Sequence, residues 1–265
     1  MTVNVEGFLW VMLWTCDSLL FPSWRSFGES FEGWAYRRGS LARIRRLEQE
    51  RLIERRDAEN GRRREWRITP AGRLRALGGR DPVACWNSLW DGQWRLVIFD
   101  IAERRRVERN LLRHQLRRRG FGCLQDSVWI TPHPLDEERA RLAGELADVK
   151  ALLLLDARSG SETTAAQIVS AAWNFTAINA RYAAHRRVLD QRPRGALDTA
   201  TAGNAFAAWL REECARWTEA IAPDPLLPES LWPRGYAGRD AWQRRTAVMS
   251  EAGRQMRAFA PPPGP

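Results

Sequence analysis

The sequence predicts an α+β chain in three parts, and three observations predict it. Arginine is concentrated over one amphipathic helix and one hairpin near the amino terminus. A β-α-β-β-α-β order of patterns occupies 90–160, and helical patterns follow from 165 onward. The 265 residues suffice for two or three small domains with cores of their own. An apolar content of 44% with 14 tryptophans argues for packed rather than disordered structure.

The first part, 1–80, opens with the apolar run Phe8–Phe21, which is too short to span a bilayer, lacks a basic flank and is broken by Asp17. Trp10 and Trp14 lie one turn apart in it, so it reads as a core-facing helix. After a turn region at Pro22–Gly33, Ser40 is placed to cap a second helix, because its hydroxyl can accept from the free amides of the first turn. Leu41, Ile44 and Leu47 recur every three residues and form the buried stripe, which turns Arg43 and Arg46 outward. Asn60-Gly61 is a two-residue hairpin turn, since both positions tolerate positive φ, and Arg64–Ile68 supplies its second strand. A helix, a basic helix and an arginine-tipped hairpin, in that order, make a winged helix-turn-helix.

Charge supports a polyanion partner for this part. Of the formal net charge of +10, residues 33–80 carry +9, from 15 arginines against 6 acids. Arginine suits phosphates and guanine edges because its planar fork donates two parallel hydrogen bonds. The expected DNA contacts are Arg43 and Arg46 in the major groove, Arg37, Arg38 and Ser40 at the helix start, and Arg62, Arg63 and Arg64 on the wing.

In the second part, WRLVIFD (94–100) is a buried strand, and 103–120 is a helix ending at Gly120, which suits a left-handed terminus. Residues 121–131 supply two short strands or one bent pair, 136–149 a second helix, and ALLLLD (151–156) a final buried strand. That order is the ferredoxin-like βαββαβ unit, which serves dimerisation through a sheet face or edge.

The third part, 165–260, is expected to be a helical effector or dimerisation domain. One helix spans Ala165–Leu189, a loop 190–203, a second helix Ala205–Ile221, and a last helix Asp240–Phe259. Trp173, Trp209 and Trp217 are expected in its core, and Arg181, Arg186 and Arg187 on its solvated face or near a ligand's phosphates. Cys16, Cys85, Cys123 and Cys214 are scattered without metal-ligand spacing, which points to free thiols in a reducing compartment. His114, His133 and His185 are isolated and have no activated serine or cysteine nearby.

Three stretches, WDGQWRLVIFDIAERRR (90–106), GFGCLQDSVWITPHPL (120–135) and DPLLPESLWPRGYAG (224–238), resemble the PaaX-type repressors of phenylacetic acid degradation. The resemblance implies a winged helix, a ferredoxin-like middle domain and a helical carboxyl domain. It also implies a homodimer acting on a double-stranded operator and relieved by an acyl-CoA effector. The middle part is similar as well to the small nuclease-like subunit of CRISPR adaptation complexes. There an aspartate closing the first strand has been assigned to a metal, and Asp100 stands at that place. The other role for Asp100 is structural, as a helix-start cap together with Glu103.

The sequence therefore predicts a cytoplasmic, DNA-binding transcriptional regulator, a repressor by resemblance, with no catalytic role, no cofactor and no membrane partner. A metal-dependent nuclease using Asp100 is the alternative.

Overall fold

The computed structural model describes residues 40–57, 64–77, 79–135, 151–196 and 199–258, and it divides into two compact units. One unit combines residues 1–81, 184–218 and 240–265, and the other combines 82–183 and 219–239. Among the described residues the architecture is α+β, with a two-stranded and a four-stranded sheet. The expected first helix (8–21), the helix over 136–149 and the 60–61 turn lie outside the described residues.

In the first unit, α1 (Ser40–Gln49) is followed by β1 (Ile53–Asp57), β2 (Arg64–Ile68) and α2 (Pro70–Ala76). The helix begins at Ser40 itself, so Ser40 is its first helical residue. Leu47, Leu52, Ile53 and Leu77 are buried and seat the helix and hairpin. α1 ends on paired backbone bonds, Leu52 N to Leu47 O (2.9 Å) and Arg51 N to Glu48 O (3.0 Å), with Arg51 at φ 56°. This is a Schellman ending with arginine where glycine is usual.

The four-stranded sheet belongs to the second unit, after the short α3 (Pro82–Trp86). Its strands are β3 (Trp94–Asp100), β4 (Gly122–Gln125), β5 (Val128–Thr131) and β6 (Ala151–Ala157), in the order β4-β5-β3-β6 with every neighbour antiparallel. A 3-10 turn (Glu103–Arg105) leads into α4 (Arg106–Arg118). α4 closes on Gly120 (φ 86°), where Gly120 N donates to Arg117 O and Phe121 N to Leu116 O, as the glycine predicted.

Alternation along β3 sends side chains to both faces. Val97 and Phe99 pack with Leu112, Leu116, Phe121 and Trp129 on the α4 side. Trp94 and Ile130 pack with Val169, Trp173, Leu227 and Leu231 on the other. Burying one such aromatic contributes on the order of 2–3 kcal/mol, so these two clusters hold the sheet.

Three expectations are corrected. β6 is not a fully buried strand: it is a sheet edge, and Leu153 and Leu155 are 55% and 44% exposed, while Leu152 and Leu154 pack inward. The helix expected over 165–189 is two helices, α5 (Ala165–Ala172) and α6 (Phe175–Asp190). At the break Trp173 is extended, its indole donates to Gly120 O (3.2 Å), and the Asn174 side chain accepts from Ala177 N (2.9 Å). A tertiary hydrogen bond and a new cap thus outweigh the continuous helical pattern. Asp100 does not cap the following helix. The turn's cap residue is Ala102 and that of α4 is Arg105, each without a side-chain cap bond, and Glu103 pairs with Arg109 instead (2.6 Å).

The remaining long helices are α7 (Ala200–Ile221) and α8 (Gly238–Ala258), each starting a few residues before its expected place. Trp209 and Trp217 are buried, as core tryptophans should be. No described helix is long and apolar enough to cross a membrane.

Candidate nucleic-acid interface

α1 is anchored by buried Leu47, so its opposite side faces solvent. Arg45 and Arg46 are exposed there, and Arg46 Nε donates to Glu50 Oε1 at 2.7 Å, one turn on. Such an exposed pair is weak and easily exchanged for a phosphate or base contact. Arg45 is not among the expected contacts, because the three-residue spacing of the apolar stripe points outward through Arg43 and Arg46. The backbone places Ser40 and Arg43 on the same helix. Arg37, Arg38, Arg62 and Arg63 lie outside the described residues.

The hairpin register sets Ile53 against Ile68, Arg55 against Trp66 and Asp57 against Arg64. Arg64 therefore opens β2 beside the connecting segment, where a wing contact is expected. Thr69 holds the corner behind it: its hydroxyl donates to Arg51 O (2.7 Å) and accepts from Gly72 N (3.0 Å). A Cβ at Gly72 would stand 2.0 Å from Leu52 O, so only glycine lets α2 approach the start of β1 so closely.

Two buried polar clusters, separated widely in sequence, were not legible from motifs. In the first unit, Arg245 donates through Nε and Nη2 to the two oxygens of Glu213 (2.5 and 3.0 Å) and lies 4.6 Å over the Trp217 ring. His185 Nε2 meets the same carboxylate at 2.9 Å, and all three residues are fully buried. Burial raises the Glu213 carboxyl, but the Arg245 charge and the bonds from His185 and Arg245 outweigh it and hold it at about 2. Burial pushes the His185 imidazole below its usual 6.5 despite Glu213. A neutral His185 must then donate from Nε2, since an ionised carboxylate only accepts.

In the second unit, buried Asp224 accepts from the Tyr182 and Tyr236 hydroxyls, and Trp86 Nε1 donates to Tyr236 Oη (2.9 Å). Burial and the neighbouring Asp224 charge push the Tyr236 hydroxyl well above its usual range. Arg95, almost fully buried, holds Asp91 through two hydrogen bonds (2.8 and 2.5 Å) and donates to Pro132 O (3.1 Å). His133 Nε2 reaches Pro225 O at 3.1 Å. The three stretches that carry the family resemblance are thus tied to one another by side chains.

A cavity of about 180 Å³ opens in the same unit, walled by Phe121, Trp129, Trp173 and Ile178 and bordered by Arg117 and Arg181. Arg181 donates to Glu219 O (3.1 Å), whereas Arg186 and Arg187 are exposed and belong to the other unit. Asp100 is exposed at the end of β3, opposite Ala151. Among the described residues no group of three metal-ligand side chains gathers.

Residues 87–169 match the family model described as the PaaX protein central Cas2-like domain. No curated protein matches the chain. Among solved structures, an uncharacterized protein from Mycobacterium tuberculosis is similar over 82% of each chain, with 18% identity and a TM-score of 0.47. Over residues 87–169, then, the chain is similar to the Cas2-like central domain of the PaaX protein.

Proposed function

We propose that this protein is a sequence-specific DNA-binding transcriptional regulator of the PaaX type, working as a homodimer and not as an enzyme. The observation that carries the proposal is the exposed Arg45–Arg46 side of α1, seated by Leu47 and followed directly by an arginine-rich hairpin. That is the composition of a reading helix and a wing, with Arg43 and Arg46 directed at base edges and Arg37, Arg38, Ser40 and Arg62–Arg64 at the backbone. The strand order β4-β5-β3-β6 supports a ferredoxin-like middle domain, whose exposed β6 edge suits a dimer. An acyl-CoA effector is the ligand the resemblance implies, and the aromatic cavity bordered by Arg117 and Arg181 is where its acyl end would fit.

Selection of bound fragments from genomic DNA, followed by titration of the recovered site, tests the proposal. Arg43→Ala/Arg46→Ala should reduce the preference for that site over a scrambled duplex by at least tenfold, since each good bidentate base contact discriminates by about 1–3 kcal/mol. Undiminished discrimination would show that another element reads the sequence.

A further inference from the structure

The second unit holds a basic surface of its own. Residues 104–119 contain eight arginines and one acid, Glu108. α4 turns Leu112 and Leu116 into the core, and at about 100° per residue its opposite half is then determined. That half presents Arg106, Asn110, Arg113, His114, Arg117 and Arg118, with no carboxylate. Arg113 is half-buried against Asp126 (3.2 Å), and the other five are exposed. Val107 and Leu111, 82% and 57% exposed, share this half. The neighbouring acids are occupied at its sides, Glu103 by Arg109 and Glu108 by Arg105.

We propose that this half of α4 docks on the phosphate backbone of duplex DNA, as a second, sequence-independent contact in addition to the reading helix. A 13-residue helix is about 20 Å long, a span over which a duplex presents about a dozen phosphates. Arg106, Arg113 and Arg117 form one stripe, spaced about 10 and 6 Å along the axis. Arginine and asparagine side chains donate hydrogen bonds to phosphate oxygens, which carry position but no sequence information. A protein partner would have to present a matching acidic patch, whereas a duplex presents phosphates along the whole length of the helix. The proposal rests on the DNA-binding reading and extends it to the Cas2-like unit.

The test compares full-length protein with Arg106→Gln/Arg118→Gln and with Val107→Ser/Leu111→Ser. Binding to the recovered site and to a scrambled duplex is followed across salt, and melting temperature serves as the folding control. The arginine pair should lower affinity for both duplexes by the same factor. It should also make the slope of log K against log salt shallower by about 2, at roughly 0.9 per phosphate contact. Unchanged slope and affinity would overturn this proposal while leaving the regulator standing. A loss in the serine variant alone, with altered oligomeric state, would mark a protein contact and overturn it too. If the wild-type protein binds no duplex at low salt, the regulator reading itself falls, and this proposal with it.

Discussion

The Tyr236 hydroxyl donates to Asp224 across 2.6 Å while accepting from the Trp86 indole at 2.9 Å, and these residues are 150 positions apart at the extremes. Tyr236 rings also pack edge-on against Phe175 and Trp86. The link fastens the 224–238 segment to α3 and α6. Tyr236→Phe keeps the packing but removes both hydrogen bonds, taking the acceptor from the Trp86 indole and leaving Asp224 Oδ2 with the Tyr182 hydroxyl alone. A loss of about 1–3 kcal/mol is expected, seen as a lower midpoint in urea.

The buried Glu213–Arg245 pair should be costly to break from one side. Glu213→Gln leaves Arg245 charged in a dry site and should destabilise by about 3–5 kcal/mol. Replacing both residues by apolar ones of similar size should restore much of that. A double-mutant cycle by chemical denaturation measures the coupling.

His185 makes stability depend on pH with a definite sign. Its folded pKa lies below 6.5, so under acid the unfolded chain takes up a proton that the folded chain resists. Stability is therefore unaffected by this group above about pH 6.5 and falls as pH drops below it. His185→Gln should shrink the difference in melting temperature between about pH 7.5 and about pH 5.5. An unchanged difference would assign the acid sensitivity to other groups.

The helix-hairpin corner yields two opposite outcomes. Gly72→Ala drives a methyl against Leu52 O and should cost about 1–3 kcal/mol or prevent the corner from closing. Arg51→Gly relieves the left-handed φ of 56° and should stabilise by up to about 1 kcal/mol. Opposite shifts in melting temperature, with DNA preference retained in the glycine variant, are the expected pair of results.

Much of the fold was legible because its cause is local. WRLVIFD became β3, Arg64–Ile68 became β2 and Gly120 closed α4, since strand alternation, turn chemistry and a left-handed glycine act over a few residues. The resemblance at 90–135 was legible for the same reason, as unbroken strings. The arginines of α4 were present in the sequence too, but net charge summed over 81–265 diluted them to +4.

By itself, then, the sequence determined β2, β3 and the end of α4, where the arginines concentrate, and which family the middle of the chain resembles. Only tertiary structure decided that Trp173 would break a helix and that β6 would be an edge. It alone joined His185 to Glu213 and Arg245, and Asp224 to Tyr182 and Tyr236. The physical reason is range. Periodicity and capping are set by neighbours within a turn or two. Burial of a charge is settled by partners that reach it from 12 to 42 residues away, and no local pattern encodes which partner arrives.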